Sequence, residues 1–290
     1  MIDAHHHLWD PSRRSYPWMA GDALAPVRRP YGLEDLRRET SAAGVSGTVL
    51  VQTVSDLDET AEFLGTAGRS DGLIAGVVGW ADLTADVTGQ VERLRAAAGG
   101  ELLVGLRHQV QDEPDPEWIA RADVRAGLRA AAAAGLAYDL LVLVPQIPAA
   151  LSAARELPDL RFVLDHAAKP PIASGELEPW AGGLAELATL PNVACKLSGL
   201  VTEASWTDWE TPQFAPYAER ILDSFGPDRV MFGSDWPVCE LAASYAQVVE
   251  LAGELTSGLS EAERARVFGG TAQEWYGLPD TDDLDASLLR

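Results

Sequence analysis

Lysine is nearly missing from this chain: Lys169 and Lys196 stand against twenty arginines. Keeping only two, at neighbouring apolar-run ends, suggests that each has a task beyond covering surface. The plainer accounts are ordinary surface lysines or internal ion pairs. Cysteine is as scarce. Cys195 and Cys239 are too few for a disulfide scaffold, lack metal-ligand spacing and lie in apolar stretches, so they read as buried free thiols. No apolar run reaches the roughly 20 residues that a bilayer span needs. Positive charge is in deficit, with 22 Lys and Arg against 44 Asp and Glu and a formal net charge of −22. Such a surface repels phosphate backbones and anionic lipid, so neither nucleic acid nor a membrane is expected as a partner. The opening MIDAHHHLWD shows no basic segment followed by an apolar one, so no secretory signal is expected, and the expected location is the cytoplasm.

What the chain does have is a recurring unit. Short runs rich in Val, Leu or Ile alternate with stretches rich in Ala, Leu, Glu and Arg. The runs Ile2–Trp9, Val45–Gln52, Leu73–Leu83, Leu103–Gln111, Tyr138–Val144, Arg161–Ala167, Val193–Leu200 and Arg229–Val238 predict strands. They are almost continuously apolar, as parallel strands covered on both faces require. Helices are predicted over Leu33–Ala43, Glu59–Arg69, Val87–Ala98, Val124–Ala134, Gln146–Glu156, Glu178–Leu190, Pro216–Phe225 and Ala242–Leu255. Pro179 marks one helix start and Gly44 one helix end. Eight alternating units make an α/β chain with right-handed crossovers, and eight fit a closed TIM-type (β/α)8 barrel better than an open sheet. No linker or solenoid repeat interrupts residues 1–290, which read as a single barrel domain. The long Pro11–Pro30 loop reads as a cover over the mouth, and the acidic tail after Leu278 as frayed.

Reactive groups in such barrels come from the C-terminal ends of the strands. All five histidines of the chain fall at predicted strand ends. Side chains at i and i+2 of a strand share a face, so His5 and His7 converge inward on a metal or a substrate oxygen while His6 points away. The triplet lies inside an apolar strand, which excludes a tag. Arg107, His108 and Gln109 end the fourth strand, Asp165 and His166 the sixth, and Lys196 lies on the seventh. Asp235, after Val230-Met231-Phe232-Gly233, stands beside the imidazoles, where a carboxylate can take a proton from water; capping the next helix is its structural alternative.

These residues carry a resemblance. His-x-His on strand one, a histidine at strand six and an aspartate at strand eight resemble the amidohydrolase superfamily. The segments IDAHHHLWD, GLRHQVQ, LDHAAKP, CKLSGL and FGSDWP, from Ile2, Gly105, Leu164, Cys195 and Phe232, resemble its sugar-lactonase branch, which includes L-fuconolactonases and L-rhamnonolactonases. The resemblance implies hydrolysis of an aldonolactone to its open acid, with Asp235 as general base. His5, His7 and His166 match metal or substrate positions, and with Asp235 they form the ligand set if a metal is bound. His108, His166 and Lys196 join Asp235 as catalytic candidates, and Arg107, Gln109, Lys169 and Trp236 are substrate-binding candidates. No lysine or glutamate bridges two metals at strand four, and no histidine ends strand five, which speaks against a two-metal site. One divalent ion such as zinc is compatible with the pattern, and the branch is understood to work without metal as well. Two rivals stand beside this reading. One is a single-metal decarboxylase of the same superfamily, against which Arg107 and the two lysines suit a polyhydroxylated, partly anionic substrate or product. The other is a non-catalytic sugar-binding barrel, in which Asp235 would have no water to activate.

Overall fold

The computed structural model describes residues 1–279. Eight strands, β1 (Ile2–His6), β2 (Gly47–Val51), β3 (Ile74–Gly79), β4 (Leu103–His108), β5 (Ala137–Leu140), β6 (Phe162–Leu164), β7 (Val193–Leu197) and β8 (Val230–Phe232), lie in chain order, each parallel to the next. The ring closes between its ends: the His7 amide donates to the Trp236 carbonyl (2.7 Å) and the Asp235 amide to that of His5 (2.8 Å). The expected (β/α)8 barrel is what the chain forms.

The strands are shorter than the apolar runs that announced them. Tyr138–Val144 was expected as strand five, yet β5 stops at Leu140; Leu141 and Val142 remain buried in the loop beyond it. Hydrophobicity reports burial, and at the barrel mouth burial continues past the last ladder bond. The expected strand six, Arg161–Ala167, ends at Leu164 because the next residues leave extended geometry altogether.

The helices around the ring are α1 (Leu33–Ala43), α2 (Leu57–Ala67), α3 (Val87–Arg95), α4 (Ala122–Ala133), α5 (Ile147–Glu156), α6 (Trp180–Ala188), α7 (Leu200–Glu203), α8 (Ala215–Phe225) and α9 (Tyr245–Leu255), followed by α10 (Glu261–Ala265) and α11 (Thr271–Tyr276). Their ends follow local chemistry. The Asp56 carboxylate accepts the Asp58 amide at the start of α2, Ser244 caps α9, and Gly44 takes the left-handed conformation that ends α1. None of these helices is long and apolar enough to cross a membrane. Both cysteines are free and buried.

Two apolar layers result. The larger lies between the sheet and its helices. The smaller fills the barrel, where Ala4, Val49, Ala137, Val163, Ala194 and Met231 meet Ala272, Trp275 and Tyr276 of α11. This helix, the last among the described residues and not anticipated because six residues carry little periodicity, plugs the end opposite the mouth. The Pro11–Pro30 segment folds into two short 3-10 turns, Pro17–Met19 and Asp22–Val27, and brings Trp18 to the mouth. Of the acidic tail read as frayed, everything after Pro279 lies outside the described residues.

Candidate active site

The floor of the mouth starts with an irregularity in β1. Its register against β2 slips between Asp3 and His6. A bulge of this kind re-aims side chains. His5 and His7 turn inward, Asp3 turns out to Ser234 and Tyr245, and His6 turns out to the Thr48 hydroxyl (3.0 Å). Burial drives the His6 pKa down to about 3, so it is a neutral packing residue.

The inward imidazoles are held from behind. His7 donates from Nδ1 to the Val51 carbonyl (2.8 Å), which leaves its Nε2 lone pair facing the site. His5 Nδ1 lies 3.0 Å from Lys196 Nζ and 3.3 Å from Asp165 Oδ1; its Nε2 is 3.2 Å from His7 Nε2 and 3.4 Å from the Arg107 guanidinium. His166 bonds the Ser198 hydroxyl through Nδ1 (2.9 Å). The backbone that aims His166 is unusual: residues 166 to 169 all have positive φ, from 49° to 58°. Four successive non-glycine residues in this region cost of order 1–3 kcal/mol each, which the surrounding packing must offset. Gly199 makes the turn possible, since a Cβ there would sit 2.5 Å from His166 Nδ1.

Asp235 closes the group. It also has positive φ (57°), pinned by its own amide on His5 and by the Cys239 amide on its carbonyl. Its Oδ1 lies 3.5 Å from His7 Nε2, 3.8 Å from His5 Nε2 and 3.9 Å from His166 Nε2. Burial pushes this carboxyl up, but His166, His7 and Lys169 outweigh it and hold Asp235 below the ordinary carboxylate range. Burial takes His166 down to about 4, and burial with the neighbouring Lys196 ammonium keeps His5 neutral.

Beneath His5 sits a fully buried ionic group. Lys196 contacts Asp139 at 2.5 Å and Asp165 at 2.9 Å; Arg107 contacts Asp165 at 2.9 Å and the Gln52 carbonyl. Tyr276 of α11 donates to Asp139 from below (2.8 Å). Burial lifts Asp139 to about 6, whereas at Asp165 burial is overcome by Lys196, His5 and Arg107, which hold it well below its usual value.

Above the floor is a cavity of about 120 Å³. Of the residues singled out in the sequence, His7, Arg107, Gln109, His166, Lys169 and Asp235 line it, and His5 lies directly under them. Lys196 does not reach it and touches the site only through His5. His108 lies outside it: Nδ1 accepts from the Trp80 indole (3.0 Å), Nε2 bonds Glu113 (2.7 Å), and the ring stacks on Trp118. Trp236 is buried behind the floor, against Tyr31 with its indole N–H on Glu240. Thr53, Gln111 and Glu203 line the cavity without having been singled out, and Asp139 was passed over below it. A lone acid inside an otherwise apolar predicted strand demands a buried cation, and only the folded barrel shows that this cation is Lys196.

The donor set suits a metal. His5, His166 and Asp235 each present one ligand atom, all within 4.8 Å of one another, and His7 Nε2 adjoins them 3.2 Å from His5 Nε2. Imidazole with one carboxylate is a borderline, zinc-like donor set.

Comparison with known proteins agrees with this geometry. The amidohydrolase family model matches residues 2–278. An L-fucono-1,5-lactonase of Burkholderia multivorans is 40% identical over 293 residues, covering 97% of each chain, and one of Burkholderia ambifaria is 38% identical over 96% of this chain and 95% of its own. A crystal structure of an amidohydrolase from Burkholderia multivorans with bound zinc superposes with a TM-score of 0.90 at 40% identity, over 96% of this chain and 99% of that one. With a match over nearly its whole length, this chain belongs to the amidohydrolase family.

Proposed function

We propose that this chain hydrolyses a sugar lactone, L-fucono-1,5-lactone foremost, to its aldonic acid, with Asp235 as the general base. The observation that carries the reading is an ionised carboxylate in a small cavity, ringed by three imidazoles and facing a guanidinium. The similarity to two L-fucono-1,5-lactonases supplies the substrate class.

The chemical task is to activate water, stabilise an oxyanion and protonate the departing ring oxygen. Asp235 accepts the proton of a water held beside His7 and His166, and the water oxygen attacks the lactone carbonyl. Arg107, whose guanidinium is locked by Asp165 and Gln52, meets the negative charge that develops on the carbonyl oxygen. As the ring C–O bond breaks, Asp235 hands its proton to the leaving oxygen and returns to the carboxylate. Lys196 holds His5 in register and does not touch the substrate. Gln109 and Lys169 bind the sugar from the wall.

A divalent ion of the zinc type would be held by His5, His166 and Asp235, with His7 adjoining. When bound there it would polarise the lactone carbonyl and make a coordinated water more acidic.

The test is a pH-indicator assay on a panel of aldono-1,4- and 1,5-lactones, with and without a chelator. Acid release well above the spontaneous rate is expected for at least one 1,5-lactone. A flat trace across the panel in both arms sinks the proposal, and the chelator arm reads the contribution of the ion.

A further inference from the structure

Most polar groups that line the cavity are already spoken for. His7 is bonded to Val51, His166 to Ser198, Arg107 to Asp165 and Gln52, and the Gln109 amide N–H to the Thr53 carbonyl (2.9 Å). Apart from the Asp235 carboxylate, two charged groups are not. Lys169 Nζ and the Glu203 carboxylate stand 4.0 Å apart on one wall, and among the described residues neither head group makes a hydrogen bond. Each side chain is only a quarter exposed. Gln111, which also lines the cavity, has its Oε1 buried with no partner.

Unfilled acceptors in a half-dry pocket are costly unless a ligand supplies donors. The free capacity here is mixed: the oxygens of Glu203 and Gln111 accept, and the Lys169 ammonium and the Trp18 indole N–H, which has no partner, donate. The cavity's charges also balance, with Arg107 and Lys169 opposed to Asp235 and Glu203. A balanced pocket offers no net attraction to a carboxylate or phosphate substituent. Its free valences call for neutral groups that donate and accept at once, which are hydroxyls. Trp18, Leu141 and Val238 supply the apolar surface that the C–H faces of such a ring need.

The geometry points to Glu203, on α7 and paired with Lys169, as the hydroxyl-recognition subsite of this cavity, selecting neutral polyhydroxylated lactones over bare or acidic ones. This rests on the lactonase reading above and adds the residue that gives it substrate selectivity. Glu203 accepts hydrogen bonds from ring hydroxyls, and Lys169 both donates to a hydroxyl oxygen and keeps the carboxylate ionised. Burial raises the Glu203 pKa, and the Lys169 charge opposes that rise. Once the ring opens, the new carboxylate meets Asp235 and Glu203 together, which favours departure of the product.

The experiment compares kcat/KM for L-fucono-1,5-lactone and for δ-valerolactone, which has no hydroxyls, in the wild type, Glu203→Ala and Glu203→Gln. A lost charge-assisted hydrogen bond predicts that the preference for the sugar lactone falls by about 100-fold in Glu203→Ala. In the isosteric Glu203→Gln, which keeps one acceptor, about tenfold is expected. Two outcomes overturn the subsite: an unchanged preference, or proportional loss on both lactones, which would assign Glu203 to the chemistry or the fold. Glu203→Gln guards against misfolding of the smaller variant. A wild type inert across the whole lactone panel defeats the lactonase reading and the subsite with it, whereas an active wild type whose preference survives both substitutions defeats the subsite alone.

Discussion

The two lysines of this chain sit one barrel strand apart and have opposite surroundings. Lys196 is wholly buried, with Asp139, Asp165 and His5 Nδ1 all within 3.0 Å. Lys169 stands at the cavity wall, a quarter exposed, with one acid 4.0 Å away. The first has no capacity left for a ligand, and the second has almost all of it. A satisfied charge under the floor fixes His5, while an unsatisfied one on the wall waits for substrate. The sequence marked both as unusual, and only their partners separate the roles.

The same substitution at both positions sharpens the contrast. Lys196→Met leaves Asp139 and Asp165 buried with a cation removed, and breaking a buried pair in this way costs about 3–5 kcal/mol. Lys169→Met, on the wall, is expected to change stability by less than about 0.5 kcal/mol. Urea unfolding of the two variants reads both values. Equal losses would erase the distinction between floor and wall.

A smaller effect is expected with pH. Asp235 is held below its usual range of 3.8, and His166 gains its proton only near 4. A depressed carboxylate keeps its base form as pH falls until its folded pKa is reached. The acid limb of kcat/KM is therefore expected no higher than about pH 4, where His166 gains its proton. An acid limb centred near 6 or above would show that Asp235 or His166 titrates in a different environment from the one described.

The barrel was legible because eight apolar runs, each followed by a helical pattern, leave few other topologies. Strand ends were less so, since the residues beyond Leu140 and Leu164 stay buried after they stop pairing. Within the site, position along a strand places a residue at the mouth, and direction decides whether it faces the cavity. Arg107 faces the barrel interior, so alternation turns its neighbour His108 outward, onto Trp80 and Trp118. The same rule had separated His6 from His5 and His7. Glu203 carried no signal, because it ends α7, a helix of four residues that is too short to show a periodicity. Asp139 gained its meaning only when the barrel brought Lys196 beside it.

The central claim is that Asp235 is the base that activates water for lactone opening. It is tested most directly by assaying Asp235→Asn beside the wild type on the lactone the wild type hydrolyses best, with thermal melting of both. The account predicts unchanged melting within about 2 °C and a loss of turnover of at least about 1,000-fold. Turnover within about tenfold of the wild type, in a variant that folds equally well, would contradict it.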